Sequence, residues 1–323
     1  MKVSIAMATY NGANYLQEQL VSFAAQTRCP DELIVCDDCS NDETVLIIEE
    51  FSRVSPFPVR LIKNSFNLGF VKNFEKAIAL CTGELIFLSD QDDVWFPEKV
   101  EYIENVFLKG DGKLLLIHDG QLVDEHLQWH GATKLGQIRA GWGNDQEFIT
   151  GALSVIHSNL KASVLPFPSS IAVGHDAWIH LIANSLGCRQ VVEHQLQLIR
   201  RHTSNTSQWV ASSVTKINKL DAYQSQFSTT PANSYADRIY LNQTMTDRLR
   251  SIHIERPKDY PLHVITASLK YLKDERLALE HREKLLKAGF LARRVAALRM
   301  LVLREYKYFN GVRSFLRDMS RSQ

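Results

Sequence analysis

The sequence predicts an α/β fold in which a mostly parallel central sheet is flanked by helices and followed by a C-terminal helical extension. Over the first hundred residues, short apolar segments alternate with segments of helical periodicity, as is typical of parallel sheets with helices on both faces. A change to basic, helix-forming sequence beyond about residue 235 predicts the extension. The 45% hydrophobic and 23% charged residues are typical of a globular protein.

The first two strands and their helices are predicted from pattern and capping residues. Lys2–Ala8 is rich in β-forming residues, and Tyr15–Gln26 follows it with apolar side chains at helical spacing. Leu33–Cys36 predicts a second, short strand. Ser40 or Asn41 can then cap the next helix, because their side-chain oxygens accept from backbone N–H groups of a first turn.

The alternation then continues to about residue 100. The predicted elements are a strand at Val59–Ile62, a helix at Val71–Cys81, a strand at Leu85–Leu88 and a helix starting at Pro97. Later residues are more mixed and predict a strand at Leu114–His118, a glycine-rich loop at Gly131–Gly143, an apolar segment at Phe148–Ile156 and a helix at His175–Leu186. Parallel strands end at one edge of the sheet, so their following loops should meet there.

Charge is distributed unevenly along the 323 residues, although the formal net charge is only +1. Residues 1–200 contain 15 Lys/Arg and 25 Asp/Glu, whereas residues 201–323 contain 22 and 11. The first region is therefore acidic and the second basic. This asymmetry predicts two parts with different partners, a domain over 1–205 and a helical basic region over 206–323.

Several features predict a cytoplasmic protein. No run of eighteen or more uninterrupted apolar residues occurs, and the first residues lack the long apolar region and cleavage site of a signal peptide. The five cysteines are an odd and sparse set, which suits a reducing compartment.

Three carboxylates, Asp90, Asp92 and Asp93, directly follow the apolar segment Leu85–Leu88. At separations of about 4 Å and an effective dielectric of about 20 they would repel one another by a few kcal/mol, so a positive group is expected beside them. Magnesium or manganese is a natural occupant, because such cations join carboxylates to substrate phosphates. The alternative is an acidic cluster that stabilises the N-terminus of the helix starting at Pro97.

Polar residues also follow the first two predicted strands. Thr9–Gly12 supplies hydroxyl, aromatic and amide groups, and Asp37 and Asp38 supply carboxylates that can accept hydrogen bonds from a base or a ribose. Each cluster alone has a structural alternative, since Asx and glycine turns and acidic helix caps are common. Their order at successive strand ends favours a nucleotide pocket.

Four segments stand out in order along the chain: Thr9–Gly12, Cys36–Thr44, Asn67–Phe70 and Ser89–Trp95. They resemble the successive signatures of the family 2 inverting glycosyltransferases of GT-A fold. Three later segments are Pro166–Pro168, His175–Trp178 and Arg200–Asn205. These resemble the rhamnosyltransferase-like subgroup, which builds bacterial surface polysaccharides. The resemblance covers residues 1–205 and says little about the remainder.

The resemblance implies roles for individual residues. Those implied to bind the nucleotide-sugar are Ala8, Thr9, Tyr10, Asp37, Asp38, Asn67, Lys72, Asn73 and Asp90. Those implied to hold a metal are Asp90 and Asp92, which match the D-x-D motif, Asp93 as an alternative ligand, and His202. Asp176 occupies the acidic position that the family places opposite the donor, and the resemblance makes it the catalytic base. The same residue also suits the first turn of a helix, which is compatible with catalysis.

The resemblance implies a hexosyltransferase that uses manganese or magnesium and inverts configuration. It would move a sugar, with rhamnose one candidate, from a nucleotide-diphosphate donor to a saccharide or lipid-linked acceptor in O-antigen or capsule synthesis. Residues 1–95 would form the nucleotide half of the domain and residues 96–205 the acceptor half. Two alternatives are a non-catalytic nucleotide-sugar-binding scaffold subunit and a nucleotidyltransferase, although the glycine- and lysine-rich phosphate loop expected of the latter is missing near the N-terminus.

The C-terminal segment from Arg282 to Arg321 alternates basic and apolar residues at helical spacing. Basic amphipathic helices lie on anionic membrane surfaces, which predicts a peripheral location at the inner face of the cytoplasmic membrane. The alternative is a helical pair that packs on the catalytic domain or on a second copy in a homodimer. Nucleic acid is not an expected partner, because no recognised motif accompanies the charge.

Overall fold

The computed structural model describes residues 1–141, 145–168, 173–203, 210–217 and 234–320. Two compact units contain most of them. The first comprises the described residues up to 167 and from 174 to 217, and the second comprises residues 234–320. The domain boundary predicted between 205 and 206 lies outside the described residues, as do Ser204 and Asn205.

The first unit consists of one sheet with helices between its strands. Its strands are β1 (Val3–Thr9), β2 (Glu32–Asp37), β3 (Val59–Lys63), β4 (Leu85–Ser89), β5 (Val94–Trp95), β6 (Leu115–Val123), β7 (Trp129–Thr133), β8 (Ser154–His157) and β9 (Arg189–Arg200). Its helices are α1 (Ala13–Ala24), α2 (Thr44–Val54), α3 (Phe70–Leu80), α4 (Lys99–Leu108), α5 (Lys134–Gly141), α6 (Ser158–Val164) and α7 (His175–Ser185). Short 3₁₀ turns lie at Asp145–Glu147, Gly151–Leu153 and Val210–Ser212.

The strand order is β3-β2-β1-β4-β8-β6-β9-β5, with β7 paired to β6. β1 pairs in parallel with β2 and β4, and β2 pairs in parallel with β3. The strand–helix alternation predicted for the first hundred residues is therefore confirmed. Strands β1, β2 and β4 are almost completely buried, which explains why they read as continuous apolar segments.

Helix α1 shows how the strand ends are held. Its buried Leu16, Leu20 and Phe23 lie on one face and pack in one cluster with Ile5 and Met7 of β1. Full burial of an aliphatic or aromatic side chain of this size stabilises the fold by about 1.5–3 kcal/mol. The loop between β1 and α1 therefore starts and ends on firmly packed elements.

The second half of the sheet is mixed, because β8 runs antiparallel between β4 and β6. β9 pairs in parallel with β6 and antiparallel with β5. Strand β9 is absent from the sequence-based prediction, since charged and amide side chains interrupt its apolar pattern. It ends at Arg200, which bonds to the loop after β4.

The prediction of a glycine-rich loop at Gly131–Gly143 is wrong for the residues that the structure describes there. Strand β7 ends at Thr133 and helix α5 begins directly after it. Gly136 lies inside this helix, where an added Cβ would be 2.8 Å from Thr133 Oγ1. The glycine therefore marks a close contact within a helix, whereas the sequence alone favours a turn at such a residue.

The second unit is helical, as the predicted extension requires. Its helices are α8 (Ala236–Glu255), α9 (Leu262–Lys287), α10 (Phe290–Val302) and α11 (Val312–Ser320). Helix α8 packs along α9, and α10 packs against both α9 and α11. Across the described ranges, no helix combines the length and the apolar character needed to cross a bilayer.

A buried ion pair holds the end of this helical unit together. Arg282 Nε lies 3.0 Å from Asp318 Oδ2, and both side chains are almost completely buried. The Tyr306 hydroxyl donates to the same carboxylate oxygen at 3.0 Å. The carboxylate of α11 is thus bonded to α9 and to the connection between α10 and α11.

We expect Asp318→Asn to destabilise the protein by about 3–5 kcal/mol, because it leaves the buried Arg282 without its counter-charge. Urea unfolding followed by circular dichroism measures the loss. The matched control is Asp247→Asn, since Asp247 pairs with Arg250 at 3.7 Å on the exposed surface and should change the midpoint little. Equal midpoints for the two variants would contradict the role of the buried pair.

Candidate active site

A cavity of about 810 Å³ collects the polar clusters that follow β1, β2, β3 and β4. Residues of α7 and of the segment after β9 also line it. Ten of the sequence-predicted site residues line this cavity: Ala8, Thr9, Tyr10, Asp38, Asn67, Asn73, Asp90, Asp92, Asp176 and His202. The other three, Asp37, Lys72 and Asp93, are not among its lining residues.

The turn after β1 is braced by the loop after β4. Gln91 Oε1 accepts from the Tyr10 backbone N–H at 2.9 Å, and Gln91 Nε2 donates to the Tyr10 carbonyl at 3.1 Å. Gly12 leaves room for this arrangement, because an added Cβ would lie 2.3 Å from Gln91 Oε1 and would displace the Gln91 amide. The Tyr10 ring is about half exposed and remains available at the rim of the cavity.

Asp38 organises the turn after β3. Its carboxylate accepts from the backbone N–H groups of Leu68 at 2.7 Å and Gly69 at 2.8 Å, and from Asn64 Nδ2 at 2.8 Å. Gly69 has a φ of 77°, which favours glycine. Asn64 also donates to Asn73 Oδ1 at 2.9 Å. The cluster thus positions Asp38 and Asn73 along one wall of the cavity.

Asp37 and Lys72 bond to neighbouring protein groups. Asp37 is buried and accepts from Thr9 Oγ1 at 2.9 Å and from the Ser40 backbone N–H at 2.9 Å, so it closes the turn between β2 and α2. Lys72 Nζ donates to Glu75 Oε2 at 2.6 Å and to the Phe167 carbonyl at 3.0 Å. A nucleotide role for either residue stays a prediction.

The carboxylates after β4 form a cluster that suits a divalent cation. Asp90, Asp92 and Asp93 each offer an oxygen, and these oxygens all lie within 4.8 Å of one another. Burial, together with the charges of Asp92 and Asp176, raises the pKa of Asp90 to about 7. A bound cation would relieve this repulsion, and oxygen ligands suit magnesium or manganese. The donor set therefore fits the predicted metal.

Asp93 is held from the side of β9. It is buried, and its two oxygens accept from Gln197 Nε2 at 2.7 Å and from the Arg200 backbone N–H at 3.1 Å. Burial raises its pKa well above the usual range, with the charges of Asp92 and Asp90 adding to the effect. The buried Lys99 ammonium donates to Gln197 Oε1 at 2.5 Å. Asp93 thus braces the cluster, whereas Asp90 and Asp92 line the cavity.

The end of β9 brings His202 to the acid cluster. His202 Nε2 lies 2.9 Å from Asp92 Oδ2, and its ring packs against Tyr15 at 4.7 Å between centroids. Arg200 Nε donates to the Asp92 carbonyl at 2.9 Å, and its guanidinium lies over the Tyr15 ring and bonds to Glu18. The structure thus places His202 beside one of the two predicted D-x-D carboxylates.

Helix α7 presents Asp176 to the cavity from its first turn. The preceding His175 is 6% exposed and stacks on Phe74 with ring centroids 4.0 Å apart. Burial lowers the pKa of His175, although the charge of Asp176 opposes the shift. Both residues line the cavity, and the stacking fixes the His175 ring against α3 beside Asp176.

The cavity also contains cations that the sequence analysis missed. Lys134, at the start of α5, donates to Ser212 Oγ at 2.6 Å, and both residues line the cavity together with Arg201. Burial lowers the pKa of Lys134 to about 7, the charge of Arg201 adds to this effect and the charge of Asp176 opposes it. Arg201 lies inside the recognised segment Arg200–Asn205, whereas no sequence signal pointed to Lys134.

The ends of the parallel strands, the acidic cluster after β4 and the cavity at that edge of the sheet are typical of the GT-A fold. Residues 4–136 match the profile of the family described as Glycosyl transferase family 2. The predicted family resemblance is confirmed.

Curated relatives agree with this assignment. An uncharacterised glycosyltransferase of Nostoc sp. is 34% identical over 111 residues, which is 34% of each chain. The dTDP-rhamnosyl transferase RfbG of Shigella flexneri is 37% identical over 100 residues, 29% of this chain and 34% of RfbG. The UDP-Glc:alpha-D-GlcNAc-diphosphoundecaprenol beta-1,3-glucosyltransferase WfgD of Escherichia coli is 32% identical over 109 residues, 34% of this chain and 42% of WfgD. The chain spans about a third to a half of the length of the curated relatives it matches.

Solved structures support the fold. S. aureus TarS 1-349 superposes with a TM-score of 0.57 at 15% identity and covers 100% of this chain and 93% of its own. Its complex with UDP-GlcNAc gives a TM-score of 0.56 at 16% identity and covers 99% and 82%. The predicted α/β fold of GT-A type is therefore confirmed.

We expect Gly151→Ala to destabilise the protein by about 1–3 kcal/mol, because an added Cβ would lie 2.6 Å from Nε2 of the buried, stacked His175. Urea unfolding measures the change. Gly289→Ala is the matched control, since its Cβ would meet nothing within 4 Å and its φ of −65° suits alanine. The control should stay within about 0.5 kcal/mol of the parent, and an equally stable Gly151→Ala would contradict the tight contact.

Proposed function

We propose that this protein is a metal-dependent inverting glycosyltransferase that moves a sugar from a nucleotide-diphosphate donor to a saccharide or lipid-linked acceptor. The observation that carries the proposal is the convergence of Asp90, Asp92, His202 and Asp176 on one cavity. Asp90 and Asp92 suit a metal ion that binds the donor diphosphate, and Asp176 suits a general base. We further propose that the reaction belongs to bacterial surface polysaccharide synthesis, O-antigen or capsule.

The donor side of the proposal rests on the wall formed by the β1 and β3 turns. Thr9, Tyr10, Asp38 and Asn67 offer hydroxyl, ring, carboxylate and amide groups to a base and ribose. Similar proteins support a UDP- or dTDP-linked hexose, because the name of RfbG specifies a dTDP-rhamnosyl donor and the TarS complex contains UDP-GlcNAc. Rhamnose is the first sugar to test.

Asp90 and Asp92 would hold the magnesium or manganese ion, with His202 beside Asp92. When bound, such an ion neutralises the charge that develops on the departing nucleoside diphosphate. Asp93 would keep the loop in place through Gln197 and Arg200. Arg201 and the protonated form of Lys134 add positive charge to the same cavity, which favours binding of an anionic diphosphate.

Asp176 would accept the proton of the acceptor hydroxyl. As that proton moves to the Asp176 carboxylate, the acceptor oxygen forms a bond to the anomeric carbon. The bond from that carbon to the diphosphate oxygen breaks with its electron pair, so configuration inverts in a single displacement. The buried His175 packs beside Asp176 and helps to fix the first turn of α7.

The acceptor side of the proposal is a lipid-linked saccharide. The name of the related WfgD specifies a diphosphoundecaprenol-linked acceptor, which supports this class. The protein would then work peripherally at the inner face of the cytoplasmic membrane. A non-catalytic nucleotide-sugar-binding scaffold is the second candidate, and it differs in giving Asp176 no chemical role.

We expect Asp92→Ala to weaken metal-dependent donor binding by about 10- to 100-fold, since a charged ligand is removed. The measurement is the thermal shift of the protein with UDP- and dTDP-sugars, with manganese or with a chelator. Asp111→Ala is the control, because Asp111 is an exposed loop carboxylate that should leave binding unchanged. Donor affinity that neither chelator nor Asp92→Ala alters would contradict the metal site.

We expect Asp176→Asn to keep donor binding within about twofold and to lower transfer by about 10²–10⁴-fold, because asparagine cannot take the proton. Release of nucleoside diphosphate with a bacterial lipid extract as acceptor measures transfer, and the thermal shift measures binding. Asp111→Asn serves as the control. Unchanged turnover in Asp176→Asn would exclude this base, and a parent protein that binds donors but transfers none of them would favour the scaffold.

A further inference from the structure

Helix α10 has two apolar faces, of which only one is packed. Ala297 and Met300 lie on the packed face, in a buried cluster with Leu285 and Tyr306. The other face consists of side chains at intervals of three or four residues, so they share one side of the helix. They are exposed, with relative exposures of 76% for Leu291, 68% for Val295, 48% for Leu298 and 81% for Val302. We call these four residues the outer face.

Positive charge borders the outer face. At helical spacing, Arg294 lies on one side of it and the exposed Arg299 on the other. The segment 288–320 contains seven Lys/Arg and two Asp/Glu. Both acids are used inside the helical unit, since Glu305 bonds to His281 at 2.8 Å and Asp318 belongs to the buried ion pair. In this described segment, the outer face therefore offers apolar and cationic groups but no carboxylate.

We propose that the outer face of α10 docks on an anionic phospholipid membrane. Apolar side chains bordered by arginines are typical of helices that lie in the membrane interface. The apolar side chains insert among the acyl chains, and anionic head groups attract the arginines. A second copy of the chain fits less well. A symmetric contact would bring arginines against arginines, with no outward carboxylate of this segment to pair with them.

This inference names the surface that would hold the protein at the membrane. It rests on the proposed function, because the lipid-linked acceptor is the reason for choosing a lipid surface. Its test is nevertheless separate. Vesicle binding requires neither donor nor acceptor, so a failure there leaves the Asp92→Ala and Asp176→Asn results unaffected. Conversely, a result that excluded sugar transfer would not change whether the outer face binds lipid.

We expect the full chain to co-sediment with vesicles of equal parts phosphatidylglycerol and phosphatidylcholine at low salt, less at high salt, and little with phosphatidylcholine alone. The double variant Val295→Ser/Leu298→Ser should lose at least about tenfold in vesicle affinity, because it removes apolar side chains that would enter the interface. Arg299→Ala should lose about fivefold at low salt.

Matched controls come from the same helical unit. Ile254→Ser/Leu262→Ser removes two apolar side chains of 76% and 56% exposure away from α10, and Arg250→Ala removes an exposed arginine of α8. Both should bind vesicles as the parent does. All substituted side chains are exposed, so the circular dichroism spectra of the variants should match that of the parent. Arg299→Ala serves as the test if the double variant does not fold. Equal binding by parent and α10 variants, or a dimer that the double variant dissociates without any vesicle binding, would overturn the proposal.

Discussion

The crowding of three carboxylates after β4 is the constraint on which much of the first unit depends. Asp90, Asp92 and Asp93 offer oxygens within 4.8 Å of one another, and burial with mutual repulsion raises the pKa of Asp90 and Asp93. The fold accommodates this charge by bringing the end of β9 beside the cluster. Gln197 and the Arg200 backbone then satisfy both oxygens of Asp93. The second half of the sheet thus stabilises a loop that belongs to the first half.

The carboxylates at the end of β2 have different hydrogen-bond partners. Asp38 accepts from two backbone N–H groups and an amide, and Asp37 accepts from a hydroxyl and a backbone N–H. Neutral donors therefore satisfy these acids and fix the turns around them. Asp90 differs, because burial and the charges of Asp92 and Asp176 raise its pKa next to the cavity. This difference explains why the acidic cluster after β4 favours a cation, whereas Asp37 and Asp38 stabilise the turns that form one wall of the cavity.

The part of the site that could be predicted from sequence lies at the ends of β1 to β4. Buried parallel strands read as continuous apolar segments, so the polar residues after them are easily placed at one edge. Strand β9 could not be placed in this way, because its polar side chains hide its pattern. Gln197 and Arg200 follow Asp93 by 104 and 107 residues, and no local signal joins them. Lys134 was also not predicted as a site residue, because the glycines around it favour a loop.

Under the proposed function, the cavity would hold both a leaving group and a base. An in-line displacement requires the attacking oxygen and the departing oxygen on opposite sides of the anomeric carbon. Asp176 lies in α7, whereas Asp90 and Asp92 lie in the loop after β4, so separate elements of the fold bring these groups to the cavity. Because the charge of Asp176 contributes to the raised pKa of Asp90, the two sites interact electrostatically. A cation at Asp90 and Asp92 would therefore offset the repulsion that the charge of Asp176 adds at Asp90.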